Sequence, residues 1–170
     1  HFPANLLFKL VSRQWEGEAA VNREWGIETF DGKFKRWKSC SSADELRRLV
    51  SASGVGKLNI GAVYTTPARS RWELDLGCAK VMHDVGSELR FDIDLDDYPH
   101  LGVTKDDLDG CDRVWPVVAL GLETAKQALE SHFGFKHVLA VYSGRRGGHL
   151  WVLDRRAFGL SNEARAAIVA

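Results

Sequence analysis

Cysteine is scarce in this sequence. Cys40, Cys78 and Cys111 stand far apart, odd in number and without a CxxC pair, so neither a disulfide framework nor a zinc ribbon is encoded, and a reducing interior is expected. No apolar run approaches the roughly 18 residues of a membrane span, and no secretion signal opens the chain, so a soluble, intracellular protein with no membrane role is expected. Net charge is missing too. The 23 Lys and Arg balance 23 Asp and Glu, which argues against a strongly basic nucleic-acid coat and leaves polyanion binding to local patches. Repeats and low-complexity stretches are absent. What remains is 170 residues, 45% of them hydrophobic, enough for one substantial domain or two small lobes.

Periodicity assigns the elements. FPANLLFKLVSRQW carries a helical stripe at Leu6, Leu7, Leu10, Val11 and Trp15. Ser42-Ala-Asp-Glu reads as a capping box opening a helix that stops by Gly54. Between them IETF and KFKRW flank Asp31-Gly32, the signal of a tight hairpin. LNIGAVYTT, residues 58–66, is a candidate buried strand; WELDLGCAKV alternates less well. A loop is expected over residues 99–114, then a helix opened by Trp115-Pro116 and closed at Gly134. HVLAVY and HLWVLD form two strands joined by SGRRGG, and Ser161 caps a last segment whose early end implies a longer chain. Hairpins mixed with helices predict an α+β fold.

Two stretches carry chemistry. In ELRFDIDLDDYP apolar residues and carboxylates alternate strictly. An extended chain sends Leu89, Phe91, Ile93 and Leu95 to one face and Glu88, Arg90, Asp92, Asp94 and Asp96 to the other, with Asp92 and Asp94 about 6.5 Å apart. Such acids repel unless a cation lies between them, and oxygen ligands suit Mg²⁺ or Mn²⁺. The competing reading is a solvated acidic face or a charge-protected edge strand. In YSGRRGGHLWV, Ser143, Arg145, Arg146 and His149 offer many donors, with Gly147 and Gly148 permitting close approach of a ligand. That is a cradle for a triphosphate, or else an exposed basic turn. Acidic strand and basic turn together meet the needs of a metal-bound nucleoside triphosphate.

Other features are ambiguous. Lys33, Lys35, Arg36 and Lys38 interleave with Phe34 and Trp37, a pattern that fits single-strand contacts or a charged hairpin face. Glu24, beside Arg23, suits either an ion pair or an active-site carboxylate. Cys111 alone is too few thiolates for structural zinc.

In this order the segments NREWGIETF, KFKRWKSC, LNIGAVYT, ELRFDIDLDDY and FGFKHVLAVYSGRRGGHLWVLD resemble the catalytic small subunit of archaeal and eukaryotic DNA primases over nearly the whole chain. The resemblance implies a primase-type mixed α/β fold with a bent, largely antiparallel sheet flanked by helices, and one catalytic domain over 1–170. It implies that Asp92 and Asp94 bind two divalent ions, that Glu24 is an active-site carboxylate, and that Ser143, Arg145, Arg146 and His149 contact the triphosphate, with Arg36 a further phosphate contact. The implied activity is template-directed synthesis of short RNA primers on single-stranded DNA from nucleoside triphosphates. Implied partners are a primase large subunit and, in eukaryotes, a replicative DNA polymerase; the implied compartment is the nucleus, or otherwise the cytoplasm.

Three departures stand beside it. Only Cys111 remains of the family's zinc site, Asn59 stands where an acid is usual, and the third metal-binding aspartate falls beyond Ala170, with Asp154 aligned to a structural position. A non-catalytic nucleotide- or strand-binding module, and a metal-dependent phosphohydrolase, stay open as alternatives.

Overall fold

The Asp31-Gly32 signal sets the first hairpin of the chain. In the computed structural model, which describes residues 2–12, 17–71, 82–103, 107–144 and 147–169, strands β1 (Arg23–Thr29) and β2 (Phe34–Lys38) flank that turn. Gly32 takes φ 79° and its N–H reaches Thr29 O at 2.8 Å, a conformation that suits glycine. The chain divides into two compact units, His1–Ser87 and Glu88–Ala170, each with its own sheet.

The first unit holds β1, β2, β3 (Val55–Tyr64) and β4 (Asp84–Gly86) in the order β2-β1-β3-β4. Every pairing is antiparallel, and register shifts interrupt all three ladders, which bends and twists the strands. β3 departs from the buried strand expected: it starts at Val55, and only Val63 is fully buried, because one face of this antiparallel sheet is open. Helix α1 (Ala4–Ser12) and helix α2 (Ala43–Val50) pack on each other. Ser42 caps α2 by accepting from Glu45 N at 3.2 Å, while the Glu45 carboxylate reaches back to Ser41 N at 2.6 Å, one residue earlier than a regular capping box. The helix ends at Val50, short of Gly54, which serves instead to turn the chain at φ 83°. WELDLGCAKV lies outside the described residues.

The second unit is built on β5 (Leu89–Asp94), β6 (Val138–Tyr142) and β7 (Gly147–Val152), in the order β5-β7-β6 and antiparallel throughout. Helix α3 covers one face, and it corrects the reading of 99–114 as a loop: it runs Leu108–His132, with Pro116 inside rather than at its start. The start is fixed by Asp107, whose carboxylate accepts from Gly110 N at 2.8 Å. Cys111, Val118, Leu122 and Leu129, on one helical face, are buried with Leu89, Leu150 and Val152, and that packing outweighs the backbone bond lost at the exposed Pro116. Two short helices follow, α4 (Arg155–Phe158), not foreseen, and α5 (Asn162–Val169), where Ser161 Oγ accepts from Ala164 N at 3.2 Å as expected. The α+β class holds.

Candidate active site

Register decides which acids share a face with which donors. Leu89 pairs with Val152, Phe91 with Leu150 and Ile93 with Gly148, toward α3, while Arg90 pairs with Trp151, Asp92 with His149 and Asp94 with Gly147 on the other face. His149 Nε2 lies 3.2 Å from Asp92 Oδ1. Arg90 lays its guanidinium 5.2 Å from the centre of the Trp151 ring. The acidic face is shorter than the alternation implied. β5 stops at Asp94, whose Oδ1 accepts from Asp96 N at 3.1 Å and so caps a 3₁₀ turn over Leu95–Asp97. Glu88 precedes the strand and is buried.

The glycines of the second hairpin admit protein rather than ligand. A Cβ at Gly147 would sit 2.4 Å from Ile93 O, and one at Gly148 would sit 2.5 Å from a Leu122 methyl. They let β5 and α3 close on β7, which draws the acids toward the hairpin. Ser143 N donates to Gly147 O at 3.0 Å, and Ser143 Oγ accepts from Gly147 N at 3.1 Å, so the mouth of the turn is pinned beside the partner of Asp94. Arg145 and Arg146 lie outside the described residues. Cys111 is buried in the core, and Asp154 is structural, accepting from Lys136 N at 3.0 Å and His137 N at 2.8 Å.

Glu24 and Arg36 meet in the first unit. Arg36 grips the buried Glu24 carboxylate in a fork, Nε to Oε1 at 2.7 Å and Nη2 to Oε2 at 2.9 Å, and this bond raises the Arg36 pKa. Tyr64 Oη donates to Glu24 Oε2 at 3.3 Å; burial first, then the Glu24 charge, pushes its phenol up. Trp37 N approaches Glu24 Oε1 at 3.4 Å. Trp37 is the one positive-φ non-glycine among the described residues, at 63°, a strained conformation of the sort found at functional positions. Its ring lies 4.5 Å from the Arg36 guanidinium and 5.7 Å from Tyr64. Gly61 leaves the room: a Cβ there would stand 2.8 Å from Glu24 Cβ. Tyr64, Trp37 and Gly61 were missed as parts of this cluster; the basic-aromatic run around Trp37 and the AVY strand were the only signals.

Asp92 and Asp94 offer hard oxygen donors, Asp92 with 70% of its side chain exposed. Among the described residues no three His, Cys, Asp or Glu converge as a metal cage. The pair fits a Mg²⁺-type ion, which keeps waters and takes the rest of its ligands from substrate phosphates. No helix among the described residues is long and apolar enough to cross a membrane.

An antiparallel sheet sets two strand carboxylates beside a histidine and a turn pinned by Ser143 and Gly147, within an α+β fold. Residues 91–170 match the family described as DNA primase small subunit. The chain is 32% identical over 149 residues, 88% of its length, to the DNA primase small subunit of Saccharomyces cerevisiae, and 33% identical over 156 residues, 91% of its length, to that of Caenorhabditis elegans. It is 31% identical over 163 residues, again 91% of its length, to the DNA primase small subunit PriS of Pyrobaculum calidifontis. The chain belongs to the DNA primase small-subunit family. It spans 36%, 37% and 47% of the lengths of these three relatives.

Proposed function

We propose that the chain serves template-directed primer synthesis, joining nucleoside triphosphates on single-stranded DNA. The observation that carries this reading is Asp92 facing His149 across the β5–β7 pair, with Asp94 beside the pinned turn. Asp92 and Asp94 would hold divalent Mg²⁺ or Mn²⁺. Bound there, such an ion supplies activation of the attacking hydroxyl and neutralises charge on the leaving phosphates. His149 and the Ser143 hydroxyl donate to triphosphate oxygens, and Arg145 and Arg146 add the bidentate donors that this ligand demands. The 3′-oxygen forms a bond to the α-phosphorus, the bond from the α-phosphorus to the α–β bridging oxygen breaks, the hydroxyl proton passes to solvent, and pyrophosphate leaves. Transfer of this kind depends on positioning and charge stabilisation, which these residues supply. Within the first unit, Arg36 would take a phosphate oxygen by exchanging part of its fork on Glu24. A primase large subunit and, in a eukaryote, a replicative polymerase are the partners that follow.

A second reading, a nucleotide- or strand-binding module without catalysis, is favoured by the lack of a three-ligand cluster among the described residues. A template-directed assay with ribo- and deoxynucleotides, Mg²⁺ and Mn²⁺, on this chain and on a longer form, separates the two. Incorporation with pyrophosphate release, lost in Asp92→Asn with the fold intact, is expected. Normal synthesis by that variant rejects the assignment, and triphosphate binding without incorporation in either form favours the second reading.

A further inference from the structure

The first hairpin carries charge and aromatic surface that the site above leaves unused. Its acids are already satisfied: Glu24 by Arg36, Glu28 by Lys57 at 3.2 Å, and Asp31 by Lys33 at 2.6 Å and by the Thr29 hydroxyl. The Lys33 hydrogen bond, then that of Thr29, holds the Asp31 carboxyl below its usual range. Lys35 and Lys38 are left over, exposed and with no ion-pair partner among the described residues. In a chain of zero net charge this is a local excess of two cations on one edge strand.

Aromatic surface accompanies it. Phe30 is 84% exposed and Phe34 is 54% exposed, at the two ends of the turn. Each ring rests on a glycine, Phe34 against Gly26 and Phe30 against Gly56, where a Cβ would come within 3.0 Å of the ring. One side of each ring is thus supported while solvent reaches the rest. Beside them opens a cavity of about 360 Å³, lined by Thr29, Phe30, Asp31, Lys33, Lys35 and Ser53 among others. That volume falls in the range of small-ligand sites, about 300–1,000 Å³.

We infer that this hairpin is a contact for single-stranded nucleic acid, with a base stacking on Phe30 and the backbone phosphates running past Lys35 and Lys38. A supported, exposed ring beside unpaired lysines is the arrangement by which strands are held without reading sequence. A protein partner fits less well, since lysine is depleted where protein interfaces are buried. The choice of a strand over other polyanions rests on the primer-synthesis reading; the test reads binding alone, so failure of synthesis does not enter it.

Fluorescence anisotropy of the chain with labelled oligothymidine, and with an abasic oligonucleotide of equal length, separates stacking from charge. Phe30→Ala is expected to weaken oligothymidine binding about fivefold or more and leave abasic binding unchanged, while Phe30→Tyr retains wild-type affinity. Lys35→Glu is expected to weaken both at least about threefold and to lower the salt slope by about 0.7. Lys136→Glu, an equal charge change at an exposed position in the second unit, is expected to do neither. Unchanged oligothymidine binding in Phe30→Ala, equal loss on both strands, or Lys35→Glu behaving as Lys136→Glu overturns the inference; unchanged binding in both hairpin variants would give the patch to a protein partner.

Discussion

Asp92 and His149 stand opposite each other in register across β5 and β7, with Nε2 3.2 Å from Oδ1. Because antiparallel register fixes which side chains share a face, a one-residue slip of β5 would turn Asp92 and Asp94 together away from His149 and into the packing under α3. The site therefore depends on what holds that register, and at its mouth this is Gly147.

Gly147→Ala tests the dependence. The added methyl would stand 2.4 Å from Ile93 O, backbone that cannot rotate aside, so the strands must part. A stability loss of about 1–3 kcal/mol is expected from forced overpacking, read as a lower urea midpoint. Gly159→Ala, where nothing lies within 4 Å and φ is −93°, should leave the midpoint unchanged or slightly raised.

Arg36→Ala leaves the buried Glu24 carboxylate, among the described residues, with only Tyr64 and the Trp37 N–H as donors. A loss of about 1–3 kcal/mol is expected, the cost of a buried acceptor left short of partners. Arg36→Lys should fall between, keeping charge without the fork. Adding Glu24→Gln to Arg36→Ala should recover part of the loss, a coupling measurable by a double-mutant cycle.

Burial raises the Cys40 thiol to about 11, with a smaller contribution from Glu45. A thiol whose folded pKa exceeds its unfolded value favours the folded state fully below the unfolded value, and that contribution is lost as pH climbs from about 9 toward 11. Stability measured by denaturant titration should therefore decline over that window, and Cys40→Ala should flatten part of the decline. The same burial predicts that mass mapping finds the Cys40 peptide unalkylated after iodoacetamide at pH 8.

Much of this fold was legible because local chemistry and packing agree. The Asp31-Gly32 turn, the Ser42 and Ser161 caps and the alternation from Leu89 to Asp94 all stand where the sequence puts them. Pro116 misled because proline usually opens a helix; here a capped first turn at Asp107 and the core stripe from Cys111 carry the helix through it. Glu88 looked like part of the acidic face, yet a residue before the strand need not follow its alternation. The Glu24 cluster was half visible. Arg36 and Glu24 were each named, but their pairing is long-range, between positions 12 residues apart, and the left-handed Trp37 leaves no mark in composition. Gly147 and Gly148 were recognised as sites of close approach, with the wrong visitor.

Equilibrium binding of a nucleoside triphosphate with and without Mn²⁺, compared between the wild-type chain and Asp92→Asn, tests the metal–phosphate reading of this face most directly. Tight binding by the wild type only when Mn²⁺ is present, with affinity in Asp92→Asn indifferent to the metal and circular dichroism unchanged, is the predicted result. A full Mn²⁺-dependent gain in Asp92→Asn would contradict it.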